Sequence, residues 1–306
     1  MIPEFEVTVL GNTSSTPVHG RHPTSQVVRF AQELFLIDCG EGTQMQLKKF
    51  KVKSSKISHI FISHLHGDHY LGLVGLLSSF NLNNRKKPLT IFGPKGLDEI
   101  ITTQFRWSNT SLCYPLTFVQ TQTDGLHTLF ESEYLSISSF PMKHRLATTG
   151  FLLKEKKRLR NLIKEKIEQI NLPLEGIKKF RNGEDFIDSN GNKYSVNDFA
   201  YPQEPLRSFA FCSDTCYDPS LKKYIKDIGL LYHESTFMEA EKDRAELTQH
   251  STARQAGQIA SLCKAKKLLL GHYSSRYYEL HALWAEAKAV FENSELSVEG
   301  ETYKIL

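Results

Sequence analysis

The 306-residue chain lacks any apolar run approaching the roughly 20 residues that a bilayer-spanning helix needs, so no membrane partner is expected. Cysteine is scarce: Cys39, Cys113, Cys212, Cys216 and Cys263 are scattered and odd in number. That argues against a disulfide framework and for a reducing compartment, the cytoplasm. Cys212-x-x-x-Cys216 has the look of half a zinc knuckle, but no second pair follows, so it is read as structural. The opening Met1-Ile2-Pro3-Glu4-Phe5-Glu6 carries early acids and no apolar leader core, so no secretory signal is expected. A net charge of +4 is too small to mark a nucleic-acid-binding surface by its sum, and there is no repeat or low-complexity tract. What remains, at 40% hydrophobic and 24% charged residues, is an ordinary globular chain with enough length for a large core. Its oddity is twelve histidines, the commonest metal ligand.

Hydrophobic periodicity predicts strands over 6–11, 34–40, 59–63, 135–140, 209–213, 230–234 and 267–271. It predicts helices starting around 68–70 and over 251–263 and 276–292, with a turn-rich loop at 17–23. Strands interleaved with helices indicate a layered α/β architecture. From 154 to 200 the texture changes. Lys154, Lys156, Lys157, Arg158, Arg160, Lys164 and Lys166 crowd together, and Lys178, Lys179 and Arg181 follow. Residues 1–153 and 201–306 are therefore expected to form one catalytic domain, and 154–200 a basic insertion. A charge run is ordinarily a solvated helix face; on a projecting segment it instead suits RNA phosphates.

The chemistry concentrates in His64-Leu65-His66-Gly67-Asp68-His69, directly after an apolar strand. In extended chain His64 and His66 point the same way, and Gly67 permits the turn that brings Asp68 and His69 round. An isolated histidine is usually a surface or satisfied core residue, but four ligand-type side chains within six residues form a metal site. Oxygen and imidazole donors without thiolate suit zinc, with manganese or another divalent ion as alternatives. Two such ions can activate water and neutralise charge on a phosphoryl group.

This HxHxDH motif resembles the signature of the metallo-β-lactamase superfamily, a four-layer αββα sandwich. Leu36-Ile37-Asp38-Cys39-Gly40-Glu41-Gly42-Thr43-Gln44, His233-Glu234-Ser235-Thr236-Phe237 and His250-Ser251-Thr252 further resemble the ribonuclease Z family, over nearly the whole chain. The resemblance implies two Zn2+ per subunit. His64, His66 and His144 would hold one, and Asp68, His69 and His272 the other, with Asp214 bridging. It also implies Asp68, Glu234 and His250 as catalytic groups, His250 giving a proton to the leaving oxygen. The implied reaction removes the 3′ trailer of precursor tRNA, leaving a tRNA 3′-hydroxyl and a trailer 5′-phosphate. The insertion takes the place of that family's tRNA-gripping arm, with Arg21, Lys156, Lys157, Arg158, Arg160, Lys178 and Lys179 as expected RNA contacts. A homodimer is implied, the arm of one subunit serving the other.

Two departures stand out. Asn171-Leu172-Pro173-Leu174-Glu175-Gly176 replaces the family's Gly-x-Pro arm tip. In the early loop Pro17 and Arg21 match the family pattern, while His19 and His22 stand where it has lysine and asparagine, and are read as RNA-facing or structural. Two rivals remain: a same-fold hydrolase of cyclic nucleotides or aryl sulfates, which leaves the basic insertion unexplained, and a noncatalytic RNA-binding scaffold, which leaves the full ligand set unexplained.

Overall fold

The structure, a computed structural model, describes residues 3–306; Met1 and Ile2, part of the stretch read for a leader, lie outside it. The first nine strands are β1 (Phe5–Gly11), β2 (Ser25–Phe30), β3 (Glu33–Ile37), β4 (Ile57–Phe61), β5 (Leu89–Gly93), β6 (Leu116–Gln120), β7 (His127–Glu131), β8 (Leu135–Met142) and β9 (Thr148–Glu155). Then come β10 (Phe186–Ile187), β11 (Lys193–Tyr194), β12 (Ser208–Cys212), β13 (Leu230–Glu234), β14 (Leu268–Gly271), β15 (Ser294–Leu296) and β16 (Thr302–Lys304). One sheet runs β16-β1-β2-β3-β4-β5-β6 and the other β15-β14-β13-β12-β9-β8-β7, while β10 and β11 pair with each other.

The two-residue period of a strand explains the layering. In Leu34-Phe35-Leu36-Ile37, Phe35 and Ile37 enter the core between the sheets. Leu34 and Leu36 pack under the helices Thr43–Lys49, Leu73–Leu82 and Leu97–Trp107. In β12, Phe209 and Phe211 face the inner core, whereas Ala210 and Cys212 meet Ala256, Ile259 and Leu283 of the second helix layer. Sheets covered on both faces need apolar residues on both, which is why these strands read as unbroken hydrophobic runs. The result is the four-layer αββα sandwich expected from the sequence. No helix among the described residues is long and apolar enough to cross a membrane.

Two elements differ from the reading. Strand β2, which follows the turn-rich loop, carries a weak signal in the sequence, since only Val27, Val28 and Phe30 are apolar in it. The helix expected over 276–292 is reduced to His281–Lys288. The residues before it spend their carbonyls elsewhere, Tyr277 and Tyr278 accepting from Arg21 and Ser275 facing His19 Nε2 at 2.9 Å. The helix Ala253–Leu262 is sharply started by a capping box between Thr252 and Gln255.

Strands β3 to β6 and β12 to β15 are parallel within their sheets. Residues leaving their carboxyl ends include Asp38, His64 to His69, Asp214 and His272, which is where parallel sheets build sites.

Lys154 and Glu155 still belong to β9, with Lys154 opposite Ser208 of β12. Beyond them, Arg207 Nε and Nη2 reach Glu155 Oε2 and Oε1 at 3.0 and 2.8 Å, and Nη2 also donates to the Pro3 carbonyl at 2.9 Å. This buried pair clips together the two ends of the inserted segment. Within 154–200, Leu172, Phe180, Phe186, Val196 and Ala200 form a separate small core, with Ile167, Ile177 and Phe199 packed against it. Removing one member of a buried ion pair leaves an uncompensated charge. Arg207→Ala is thus expected to cost about 3–5 kcal/mol in chemical denaturation. Lys178→Ala, on the exposed surface of the same segment, should stay within about 0.5 kcal/mol.

Candidate metal centre and acid–base pair

The turn after β4 brings His64, His66, Asp68 and His69 to the sheet edge; His144 arrives from the turn after β8, Asp214 from β12 and His272 from β14. Asp214 divides them into halves. Its Oδ2 lies 3.5 Å from His64 Nε2 and 3.7 Å from His144 Nε2, while His66 Nδ1 is 2.9 and 3.2 Å from those same two nitrogens. Its Oδ1 lies 3.3 Å from His69 Nε2 and 3.1 Å from His272 Nε2, each of which is 3.4 or 3.5 Å from Asp68 Oδ2.

These spacings fit metal ligation. A tetrahedron with 2.0–2.1 Å bonds has edges of about 3.3–3.4 Å, and both donor sets cluster around that value. His69 Nε2 and His272 Nε2 are buried without a hydrogen-bond partner. Among the described residues, no lysine or arginine lies within 4.0 Å of the carboxylates of Asp38, Asp68 or Asp214. Buried carboxylates need a compensating positive charge, and here imidazole lone pairs converge where one would sit.

The ring orientations are set from outside. His144 Nδ1–H donates to the Gln249 carbonyl at 2.9 Å, and His69 Nδ1 pairs with Asp38 Oδ2 at 2.8 Å. Ser63 Oγ–H donates to Asp38 at 2.9 Å, so it accepts from His64 Nδ1–H at 3.1 Å. Thr236 Oγ–H donates to Glu234 and accepts from His272 Nδ1–H at 2.9 Å. Each bond leaves an Nε2 lone pair facing the centre, the usual arrangement around ligating histidines.

The electrostatics agree. Burial, together with neighbouring imidazoles, lowers the pKa values of His64, His66 and His144, that of His66 to about 4, so these rings are neutral and free to ligate. Burial acts the same way on His69, but Asp214, Asp68 and Asp38 override it and raise that ring well above its ordinary value. Asp68 and Asp214 are held well below the carboxylate range despite burial, by His69 and His272.

Beside the cluster, His250 Nδ1 lies 3.0 and 3.2 Å from the two oxygens of fully buried Glu234. Glu234 also accepts from the backbone N–H of Thr215 at 2.6 Å and of Ser251 at 3.0 Å. Burial opposes a charge on His250, but Glu234, with Asp214 and Asp68 behind it, raises its pKa to about 9. Its ring centre is 5.0 Å from that of His144 and 5.4 Å from that of His272, between the two halves.

The expected RNA contacts divide. Lys156 pairs with Glu131 at 2.6 Å, Lys157 with Glu133 at 3.7 Å and Arg158 with Glu204, while Arg160 donates to Asn197 and the Tyr201 carbonyl. These four hold the base of the insertion. Arg21 is spent on the Tyr277 and Tyr278 carbonyls, and His22 pairs with Glu299 at 2.9 Å. His19 and Gly20 form the left-handed corner of a tight hairpin. Lys178 and Arg181 stay exposed with no ion pair among the described residues, and Lys179 has only Glu175, at 3.6 Å. Sequence reasoning gave no role to Asp38, Ser63, Thr236 or Gln249. Of these, Asp38 carried the one available signal, an acid just past an apolar strand.

Comparison with known proteins adds to the geometry. The family model described as Anti-Pycsar protein Apyc1 matches residues 5–152, which stops before the insertion and before Asp214, Glu234 and His250. A ribonuclease Z of Bacteroides fragilis is 39% identical over 296 residues, 97% of each chain. A ribonuclease Z of Cytophaga hutchinsonii is 43% identical over 303 residues, 99% of this chain and 96% of the relative. The crystal structure of the short form of human tRNase Z is similar with a TM-score of 0.73 at 26% identity, covering 98% of this chain and 99% of that one. Identity at this level along nearly the full length, on the same fold, makes the chain a member of the ribonuclease Z family of the metallo-β-lactamase superfamily.

Proposed function

We propose that this protein is a metal-dependent endoribonuclease that removes the 3′ trailer from precursor tRNA. The observation that carries this is the adjoining of a two-part metal-ligand cluster to His250, whose Nδ1 lies 3.0 Å from the buried Glu234 carboxylate. The fold and the names of the relatives support it. Zinc as the ion, a homodimer as the working unit and a cytoplasmic location belong to the same proposal.

When bound, two divalent cations supply Lewis-acid neutralisation of phosphoryl charge and activation of water. The chain's own residues do the rest. Asp214 and Asp68 set the negative field that holds the cations, and the Ser15 N–H fixes Asp68 Oδ2 at 2.7 Å. Water adds to phosphorus, passing its proton to Asp68 and on to solvent, while the bond from phosphorus to the ribose 3′ oxygen breaks. His250 delivers its proton to that departing oxygen, and Glu234 stabilises the imidazolium beforehand. The products are a tRNA 3′-hydroxyl and a trailer 5′-phosphate. Lys178, Lys179 and Arg181, near the carboxyl end of the helix Leu174–Arg181, contact RNA phosphates, a contact that carries no base information.

A 3′-extended precursor tRNA is expected to be cut once near the junction. Chelator or His66→Ala should abolish that cut. Faster hydrolysis of a cyclic nucleotide, judged by kcat/KM, would instead establish the small-molecule reading.

His250 must be protonated to act, so activity is expected to fall as pH rises through the pKa that Glu234 raises above the ordinary 6.5. Glu234→Gln removes the partner that overrides burial, so this limb should move down toward the ordinary value of 6.5. A pH–kcat profile showing the two limbs coincident rules the pairing out.

Lys178→Ala with Arg181→Ala is expected to reduce the slope of log affinity against log salt for precursor tRNA by about 2. Hydrolysis of a small activated phosphodiester should stay at the parent rate. A rate lost equally on both substrates would place these residues in the core fold.

A further inference from the structure

Among the described residues, twelve other than glycine have a left-handed backbone, and four of them surround the metal centre. His272 (φ 57°) is a ligand and Asp38 (φ 55°) orients a ligand, both through side chains. Ser15 (φ 62°) and Gln249 (φ 56°) contribute backbone groups. Left-handed backbone is disfavoured for a residue with a Cβ and persists where its surroundings over-determine it, commonly at functional sites.

Gln249 ends the helix Lys242–Thr248 at the position that glycine usually occupies. The following His250 N–H closes back on the Ala245 carbonyl at 2.8 Å. This reversal places three consecutive residues on three parts of the site. The Gln249 carbonyl accepts from His144 Nδ1–H at 2.9 Å. The His250 ring meets Glu234, and the Ser251 N–H donates to the same carboxylate at 3.0 Å. Ser251 Oγ then ties the segment to the Thr215 carbonyl at 2.7 Å, one residue from Asp214.

We infer that Gln249 is a positioning residue whose left-handed backbone, and not its side chain, sets the tautomer of His144 and the seat of His250 together. A carbonyl can only accept, so the proton of His144 is forced onto Nδ1 and its Nε2 lone pair onto the centre. Rotating Gln249 out of this conformation withdraws the carbonyl and swings His250 off Glu234 in one movement. The inference rests on reading the cluster as a metal site.

Zinc titration against a chelating dye, nitrogen NMR of the histidines in zinc-free protein, and steady-state kinetics test it. Gln249→Val, whose branched side chain resists the left-handed region, should weaken zinc affinity about 10–100-fold. It should mix the His144 tautomers and lower kcat with KM for precursor tRNA near the parent value. Gln249→Asn, which adopts that backbone readily, should restore all three to within about threefold. If the valine variant does not fold, Gln249→Ala is read for the same direction of change. Parent-like zinc affinity and a single His144 tautomer in the valine or alanine variant overturn the inference. So does an asparagine variant as impaired as valine, which would put the work in the side chain. A parent protein that takes up no zinc sinks the metal-site reading instead, leaving this one distinguishable from it.

Discussion

Asp214 sits at the sandwich edge, almost fully buried, with each oxygen facing a different set of imidazoles and, among the described residues, no lysine or arginine within 4.0 Å. A carboxylate removed from water in this way is tolerable only if positive charge is delivered to it. That demand organises the site. The rings on the Oδ2 side are held neutral and present lone pairs, while on the Oδ1 side Asp214, Asp68 and Asp38 favour positive charge at His69. The outer hydrogen bonds, from Asp38, Ser63, Thr236 and Gln249, keep four rings from turning those lone pairs away.

The fold supplies this convergence through strand direction. Parallel strands in both sheets end at one edge, so chain leaving β3, β4, β12 and β14 is delivered to a common place without long excursions. Rigidity comes from the strands being apolar on both faces, packed between a partner sheet and a helix layer. The inserted segment meets the sandwich at the Glu155–Arg207 clip, and its basic stalk residues are consumed in holding its base.

Much of this was legible in the residue order because two signals coincided. A continuous hydrophobic run marks a strand buried on both faces, and a ligand-type residue immediately after it marks the sheet edge. His64, Asp214 and His272 all obey that rule, as does the then unassigned Asp38. The outer shell was opaque for a physical reason. Gln249 and Ser15 act through peptide groups that every residue possesses, and Ser63 and Thr236 belong to types found in any loop. The insertion misled in another way. Its apolar residues are spaced singly among lysines, as Ile177 and Phe180 are around Lys178 and Lys179, so its small core did not announce itself. Nor can a count of basic residues show which are already paired, as Lys156 and Arg158 are.

His250 and the candidate metal ligands belong to one buried network of charge. In the protein alone, Asp214 and Asp68 add to Glu234 in favouring a charged His250. Cations bound at the centre would neutralise the first two, leaving Glu234 as the partner whose charge survives loading. Glu234 is itself anchored: it accepts from Thr215 N–H, Ser251 N–H and Thr236 Oγ–H, and His250 beside it lowers its pKa against the burial that opposes charge. Thr236 also accepts from His272, so the hydroxyl that donates to Glu234 is the one that orients a candidate metal ligand. His250 and the candidate metal ligands are therefore joined by hydrogen bonds through Glu234 and Thr236, so the charge of one bears on the other.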